Sequence, residues 1–202
     1  ALGLQRVLGL NSYQTAWTML HRFRRAMVRP DRDLLCGTVE VDEVFLALSR
    51  RDTKNPRPPG SKTHNRSRLV AVAVAIEVKE PKGFGRIRLQ RIAAPTIDAI
   101  VPFVQENIAP GSTVRTDGSA IYATLKDNGF KHDPHVILGS QVPAHEPLPG
   151  VHRIAALIKR WFLGTHQGAV DPRHVDYYLD EFTFRFNRRT SRSRGMLFYR
   201  LI

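Results

Sequence analysis

The alternation of apolar and polar residues in the first half of the chain predicts three successive β-strands. Between residues 34 and 48, the sequence LLCGTVEVDEVFLAL places Val39 and Val41 on one face of a strand and Glu40 and Asp42 on the other. The next run, RLVAVAVAIEV, is apolar on both faces, as a strand covered on both sides is expected to be. GRIRLQRIA predicts a third strand. The first strand therefore delivers a carboxylate to one face of the predicted sheet.

The second half of the chain alternates helices and strands. TIDAIVPFVQENI has the spacing of an amphipathic helix, and STVRTDG predicts a short strand that ends at Asp117. SAIYATLKDNG predicts a helix closed by Gly129, FKHDPHVI predicts a last strand, and helices are expected at 151–163 and 172–187. This order predicts an α/β fold of the ribonuclease H-like type, a mixed five-stranded sheet flanked by helices. In that fold the first strand and the end of the fourth approach each other.

Residues 1–30 predict a short N-terminal helical segment, because Ser12 can cap a helix that ends at the next proline. The segment is helix-turn-helix-like and a candidate DNA-binding element, with Gln14 and Thr15 directed toward a groove. An amphipathic helix that only packs against the rest of the protein is an equal alternative. We expect residues 34–202 to form a single catalytic domain.

Positive charge is the strongest bias in the composition. The 202 residues include 31 Lys and Arg against 18 Asp and Glu, which gives a net charge of +13. Residues 49–68 alone hold seven Lys or Arg against one Asp, which predicts an exposed basic loop, and the last helix is also basic. Such a bias fits a partner rich in phosphate. Nucleic acid is the favoured partner, although ribosomal and membrane-surface proteins share this composition.

The remaining composition excludes several classes of protein. With 42% hydrophobic residues, the chain can bury a core. Cys36 is the only cysteine, which excludes an internal disulfide framework and a zinc site built from the chain's own cysteines. No apolar run reaches the roughly 18 residues of a membrane span, and no signal-peptide pattern opens the chain. We therefore expect a soluble protein of the cytoplasm.

Asp42 and Asp117 are the candidate catalytic residues. Phosphoryl transfer by two metal ions needs carboxylates that converge from separate elements, because the two ions must be held about 4 Å apart. Hard oxygen ligands suit Mg²⁺. An aspartate in a TDG motif is by itself a common turn residue, whereas a carboxylate inside an apolar strand is rare. The pair predicts a site for divalent ions where the first and fourth strands meet.

Four motifs carry a family resemblance. VEVDE surrounds Asp42, VRTDGSAIY surrounds Asp117, and two longer motifs read VHRIAALIKRWFLGTHQGAV and YYLDEFTFRFNRRTSRSRG. Together they span roughly residues 10–202 and resemble the bacterial insertion-sequence transposases of the DDE superfamily, of the ISXO type. The resemblance implies cleavage of double-stranded DNA at terminal inverted repeats and joining of the freed 3′-hydroxyl to target DNA. It also implies two Mg²⁺ or Mn²⁺ ions, a homo-oligomer that holds paired DNA ends, and a place beside the bacterial nucleoid.

The identity of the third metal ligand is open. In such transposases it is a Glu or Asn about 35 residues after the second aspartate, at the start of a helix, and that position here is His152. A neutral imidazole binds divalent ions but favours Mn²⁺ over Mg²⁺. Glu43, which strand alternation turns to the opposite face, and Glu146, on the loop before the helix, are alternative ligands. A histidine that only bonds to backbone at the helix start is a further alternative.

Basic residues provide the candidate DNA-binding surface. The resemblance places a cation two turns beyond the third ligand and on the same helix face, which is Lys159. The other candidates lie next to it, on the basic loop or on the last helix, and a solvated surface is the alternative for each of them. The full set is Lys159, Arg160, Arg185, Arg188, Arg189, Arg192, Arg50, Arg51 and Lys62. Along the last helix, Tyr178, Phe182 and Phe186 recur every fourth residue, which predicts a packing stripe and not a nucleic-acid stack.

Two other functions are compatible with these residues. One is a ribonuclease H-like nuclease or resolvase without strand transfer, which the basic C-terminal motif disfavours. The other is a catalytically inactive, DNA-binding transposase remnant, which His152 would favour if it reflects decay. Members of the family commonly carry an N-terminal zinc-binding module. Because the chain has no cysteine set for such a module, we expect it to be truncated.

Overall fold

A computed structural model describes residues 1–29, 31–48, 69–135, 147–167 and 170–193. The chain divides into two compact units. The first combines Ala1–Arg32 with Asp176–Ile202, and the second is Asp33–Val175. The predicted sheet and the candidate catalytic residues all lie in the second unit.

Strands and helices follow one another largely as the sequence pattern predicts. The strands are β1 (Thr38–Ala47), β2 (Leu69–Val78), β3 (Phe84–Ile92), β4 (Thr113–Thr116) and β5 (Lys131–Pro134). The α-helices are α1 (Leu2–Val7), α2 (Tyr13–Ala26), α3 (Ile97–Asn107), α4 (Pro149–His166) and α5 (Val175–Asn187). Two 3₁₀ helices are Ala120–Leu125 and Pro172–His174. No described helix is long and apolar enough to cross a membrane.

The five strands form one mixed sheet in the order β3-β2-β1-β4-β5. β1 pairs with β2, and β2 with β3, in antiparallel fashion, whereas β1 with β4 and β4 with β5 are parallel. β1 is therefore the central strand, and the end of β4 lies beside it. The predicted α/β fold with a mixed five-stranded sheet flanked by helices is confirmed.

Helices cover both faces of this sheet, which explains why β1 and β2 are buried along most of their length. On one face, Val39 and Val41 of β1 pack in a cluster with Ile100 and Phe103 of α3. The other face receives α4, whose Ile154 is buried. Because side chains alternate along a strand, the even-numbered residues of β1 point toward α4.

The first unit contains α1, α2 and most of α5. Ser12 caps α2 as predicted, with its hydroxyl accepting a hydrogen bond from the Thr15 N–H at 3.4 Å. The helix predicted over the N-terminal residues is interrupted before this cap, where Gly9 adopts a φ of 61°. Within the same unit, Arg24 Nε lies 2.8 Å from Glu181 Oε2, and the Arg24 guanidinium stacks over the Tyr178 ring.

The segment after Asp117 and the last helix need comment beside the sequence-based expectations. The helix predicted over 119–129 is only a short 3₁₀ helix, Ala120–Leu125, and the chain then turns at Gly129, whose φ is 84°. The last helix was expected to belong to the catalytic domain. Its residues from Asp176 onward lie in the same compact unit as the N-terminal helices, to which the ion pair between Arg24 and Glu181 joins them, and the extent of the catalytic domain stays a prediction.

Candidate active site between β1 and the end of β4

The two candidate catalytic aspartates lie at matching levels of neighbouring parallel strands. β1 and β4 pair in the register Thr38↔Thr113, Val39↔Val114 and Glu40↔Arg115. Extending this register by two residues places Asp42 opposite Asp117, just after β4 ends at Thr116. Adjacent strands lie about 4.8 Å apart, so two carboxylates at the same level of neighbouring strands face a common space. The sheet therefore brings together residues that are 75 positions apart in the sequence.

Asp42 is half-buried on the α4 side of β1. Its Oδ1 accepts a hydrogen bond from the Glu43 N–H at 2.8 Å. Burial raises the pKa of Asp42, and the nearby charge of Asp117 raises it further, while the Glu43 N–H and the charge of His152 oppose the shift. A site that gathers negative charge in this way gains stability from an added cation.

Asp117 is held by a compact turn. Its Oδ1 accepts a hydrogen bond from the Ser119 N–H at 2.9 Å, and Gly118 adopts a φ of 80° that favours glycine. The hydroxyl of Thr116, which is fully buried, accepts from the Gly118 N–H at 3.3 Å and lies 2.9 Å from His132 Nε2. These contacts fix the backbone that presents the Asp117 carboxylate.

His152 lies in the first turn of α4, and its charge reaches Asp42. Its Nε2 is buried and has no hydrogen-bond partner among the described residues. A buried imidazole nitrogen without a partner, near the Asp42 carboxylate, fits a divalent cation in its chemistry when it is unprotonated. As they stand, no three His, Cys, Asp or Glu side chains of the described ranges converge closely enough to hold an ion. Asp42, Asp117 and His152 would therefore have to approach one another to hold an ion together.

Glu43 points away from Asp42, as strand alternation predicts. Its carboxylate accepts a hydrogen bond from the hydroxyl of Tyr122, which is fully buried in the cluster on the α3 side of the sheet. Burial raises the pKa of Glu43 to about 7, and the charges of Asp42 and Asp117 add to the shift. Burial likewise raises the pKa of Tyr122. The other alternative ligand, Glu146, lies outside the described residues.

Sequence reasoning missed Glu40 and Tyr122. Glu40 is fully buried, and its Oε2 accepts a hydrogen bond from the Val151 N–H of α4 at 2.9 Å. The available signal was its position in an apolar strand, the same signal that singled out Asp42. Tyr122 resembles an ordinary core aromatic residue in the sequence, and only the fold reveals its contact with Glu43.

The predicted DNA-binding residues fall into three groups. In the second unit, Lys159 and Arg160 are exposed on α4. In the first unit, Arg185 lies 3.5 Å from Glu181, and Arg188 and Arg189 stack over the rings of Phe184 and Phe186. Arg192 is exposed, and Arg50, Arg51 and Lys62 lie outside the described residues. The predicted packing stripe on α5 is confirmed, since Phe182 and Phe186 are buried and their rings stack.

The fold and the sequence together define a transposase domain. Residues 34–187 match the ISXO2-like transposase domain, and the chain belongs to that family. No curated protein matches the chain.

Two solved structures show distant likeness. The catalytic core domain of BIV integrase matches with a TM-score of 0.43 and 14% identity, covering 78% of this chain and 87% of that one. The simian T-cell lymphotropic virus intasome, in complex with the PP2A regulatory subunit B56 gamma, matches with a TM-score of 0.44 and 13% identity. That match covers 86% of this chain and 61% of the other. Neither likeness is close enough to assign residues.

Proposed function

We propose that this chain is the catalytic part of a DDE-type DNA transposase, which cuts DNA at the ends of an insertion sequence and joins them to target DNA. The observation that carries the proposal is the parallel pairing of β1 with β4, whose register, extended by two residues, puts Asp42 in the middle of β1 opposite Asp117, just after β4. Membership of the ISXO2-like family supports the same reading. Asp42, Asp117 and His152 would hold Mg²⁺ or Mn²⁺ ions.

The donor set fits divalent cations in its chemistry. The two carboxylates supply hard oxygen ligands and negative charge, and His152 Nε2 supplies a neutral nitrogen that shifts preference toward Mn²⁺. When bound, such ions activate the attacking oxygen and stabilise the leaving oxygen of an in-line displacement at phosphorus. The Thr116–Ser119 turn holds Asp117 in place.

Cations on α4 would bind the DNA beside this site. Lys159 follows His152 by two helical turns, so both side chains project from the same side of the helix. Lys159 and Arg160 would contact phosphates at the DNA end, which positions the scissile bond without reading sequence. We further propose that double-stranded DNA contacts the other basic candidates, which are Arg185, Arg188, Arg189, Arg192, Arg50, Arg51 and Lys62. Residues 1–30 would contribute to DNA binding as a helix-turn-helix-like element. A homo-oligomer would hold the paired DNA ends.

One assay separates the three candidate functions. The protein is incubated with labelled inverted-repeat DNA, a target plasmid, and either Mg²⁺ or Mn²⁺, and the products are resolved on denaturing gels. Cuts that leave 3′-hydroxyl ends together with joined products support the transposase. Cutting without joining indicates a nuclease or resolvase, and binding without cutting indicates an inactive remnant. Glu77→Gln, a change in a buried carboxylate on β2 away from the aspartates, is the matched control for Asp42→Asn.

A further inference from the structure

Glu40 is a buried carboxylate without a cation of its own. It lies two residues before Asp42 on β1, so both side chains point toward α4. Glu40 is fully buried, and within the described part of the chain it forms no ion pair. Burying a carboxylate is costly unless hydrogen bonds compensate it. For Glu40, these hydrogen bonds come from α4.

The partners of Glu40 are backbone amides in the first turn of α4. Its Oε2 accepts from the Val151 N–H at 2.9 Å, and the Gly150 N–H also faces the carboxylate. These amides belong to the first helical turn, where N–H groups have no partner inside the helix. The positive end of the helix dipole adds to the attraction. The carboxylate thus satisfies donors that the helix itself cannot satisfy.

Gly150 shows how closely the helix approaches the strand. A Cβ atom at this position would lie 2.8 Å from Glu40 Oε2, 2.8 Å from Phe84 Cε1 and 3.0 Å from Ile76 Cγ2. Any side chain would therefore require α4 or the side chains of Glu40, Phe84 and Ile76 to shift. The glycine and the carboxylate together set the distance between β1 and the start of α4.

We infer that Glu40 is a positioning residue, which fixes the first turn of α4 against β1 and so holds His152 beside Asp42. His152 directly follows Val151, whose N–H donates to Glu40, while Asp42 lies on the strand that carries Glu40. Glu40 therefore links β1, which carries Asp42, to α4, which carries His152. This inference rests on the proposed function.

The test compares Glu40→Met with Glu77→Met. Methionine keeps the buried volume but removes both acceptor oxygens, and Glu77 is a nearly buried carboxylate that also accepts a backbone N–H, from Cys36. Circular dichroism first establishes that each variant is folded. In the absence of metal, Glu40→Met should speed hydrogen exchange of the Gly150 and Val151 amides, and Glu77→Met should not.

Mn²⁺ affinity provides the second measurement. Loss of a residue that orients a metal ligand typically weakens metal binding about tenfold or more, so we expect at least a tenfold rise in the Mn²⁺ Kd for Glu40→Met. Glu40→Gln, which keeps one acceptor oxygen, should stay within about threefold of wild type because it can still accept the Val151 N–H. Glu77→Met should leave the Kd unchanged.

A double-mutant cycle separates positioning from general destabilisation. If Glu40 acts through His152, adding Glu40→Met to His152→Ala should not weaken Mn²⁺ binding further. Additive losses, or an unchanged Kd and unchanged exchange in Glu40→Met, would overturn the inference. Should the Met variant not fold, Glu40→Asp, shorter by one methylene, takes its place with the same two readouts and the same overturning result. If the wild-type protein neither binds Mn²⁺ nor cuts DNA, the proposed function fails, and amide exchange alone decides the contact with α4.

Discussion

Glu77 on β2 and the carboxylates of the candidate site lie on the same sheet, and they differ in what neutralises them. Glu77 on β2 accepts hydrogen bonds from Arg86 Nη2 at 2.6 Å and from the Cys36 N–H at 3.2 Å. Burial alone would raise the pKa of Glu77, but the hydrogen bonds and charge of Arg86 outweigh it and hold the pKa below its usual range. This carboxylate has its counter-ion within the fold.

The carboxylates in the middle of β1 and just after β4 have no such counter-ion. In the part of the chain that the structure describes, Asp42, Glu43 and Asp117 form no ion pair with Lys or Arg. Burial raises the pKa of Asp42 and of Glu43, and the charge of Asp117 raises both further. A group of carboxylates that costs free energy to ionise together is typical of a site that receives a cation from outside the chain. The contrast separates Glu77, which stabilises the fold, from Asp42 and Asp117, which are proposed to act in catalysis.

The largest expected effect is the loss of DNA cutting when either aspartate is neutralised. Asp42→Asn or Asp117→Asn should reduce the cutting rate by about a thousandfold, since metal ions supply several kcal/mol of transition-state stabilisation. Glu77→Gln should retain the rate to within a few-fold. Product formation on labelled inverted-repeat DNA measures both. A loss of cutting in Glu77→Gln as large as that in Asp42→Asn or Asp117→Asn would show that these carboxylates do not differ in function.

His152→Ala should have the next largest effect. We expect cutting to fall about ten- to a hundredfold, because a nitrogen ligand is lost while both carboxylates remain. Preference for Mn²⁺ over Mg²⁺ should fall as well, since imidazole favours Mn²⁺. Cutting rates measured over a titration of each metal provide the test. Full activity with both metals would exclude His152 from the metal site.

Glycine substitutions probe the packing beside each buried glutamate. A Cβ at Gly85 would lie 2.5 Å from Glu77 Oε2, and one at Gly150 would lie 2.8 Å from Glu40 Oε2. Gly85→Ala and Gly150→Ala should each lower the free energy of unfolding by about 1–3 kcal/mol, as overpacking does. Urea unfolding measures this change, and only Gly150→Ala should also weaken Mn²⁺ binding.

Gly164→Ala is the matched control for these glycine variants. Gly164 lies on the same helix as Gly150, and a Cβ there would meet nothing within 4 Å. Alanine should raise the free energy of unfolding by roughly 0.5–1 kcal/mol, because it is a better helix former. A loss of stability in Gly164→Ala similar to that in Gly150→Ala would show that close packing is not the cause.

The smallest expected effect is a change in the acid dependence of stability. Because the folded-state pKa of Glu77 is lowered, its ion pair with Arg86 contributes fully above the unfolded pKa and is lost as the pH falls toward the folded value. The free energy of unfolding should therefore rise with pH through this acidic range. Glu77→Gln should flatten the rise in urea titrations between about pH 3 and pH 6. An unchanged slope would mean that other carboxylates dominate acid unfolding.

Most of the fold could be predicted because its signals are local. The apolar runs of β1 and β2 and the spacing of α3 depend on residues close together in the sequence, and the structure places these elements where they were expected. The short segment after Asp117 was harder, since its helical composition does not reveal how soon the chain must turn into β5. The grouping of α5 with α2 depends on the pairing of Arg24 with Glu181, 157 residues apart, which no local pattern predicts.

The candidate site likewise combines features that local sequence signals predict with contacts that they do not. Strand alternation sufficed to place Asp42 on one face and Glu43 on the other, and the family spacing singled out His152. Glu40 escaped notice because its partner, the Val151 N–H, lies 111 residues away. The contact between Tyr122 and Glu43 likewise spans 79 residues. Contacts of this kind exist only once the sheet has formed, so composition and periodicity do not reveal them.

The parallel register of β1 and β4 also determines which insertions and deletions the gene can tolerate. One residue inserted between residues 38 and 42 would move Asp42 about 3.3 Å along the strand and turn it to the opposite face. An insertion of two residues would return the Asp42 side chain to its original face of the sheet, but Asp42 would no longer lie opposite Asp117. The stretch between residues 113 and 117 is under the same restriction. We therefore expect related sequences to vary in length in their loops while these two five-residue stretches keep theirs.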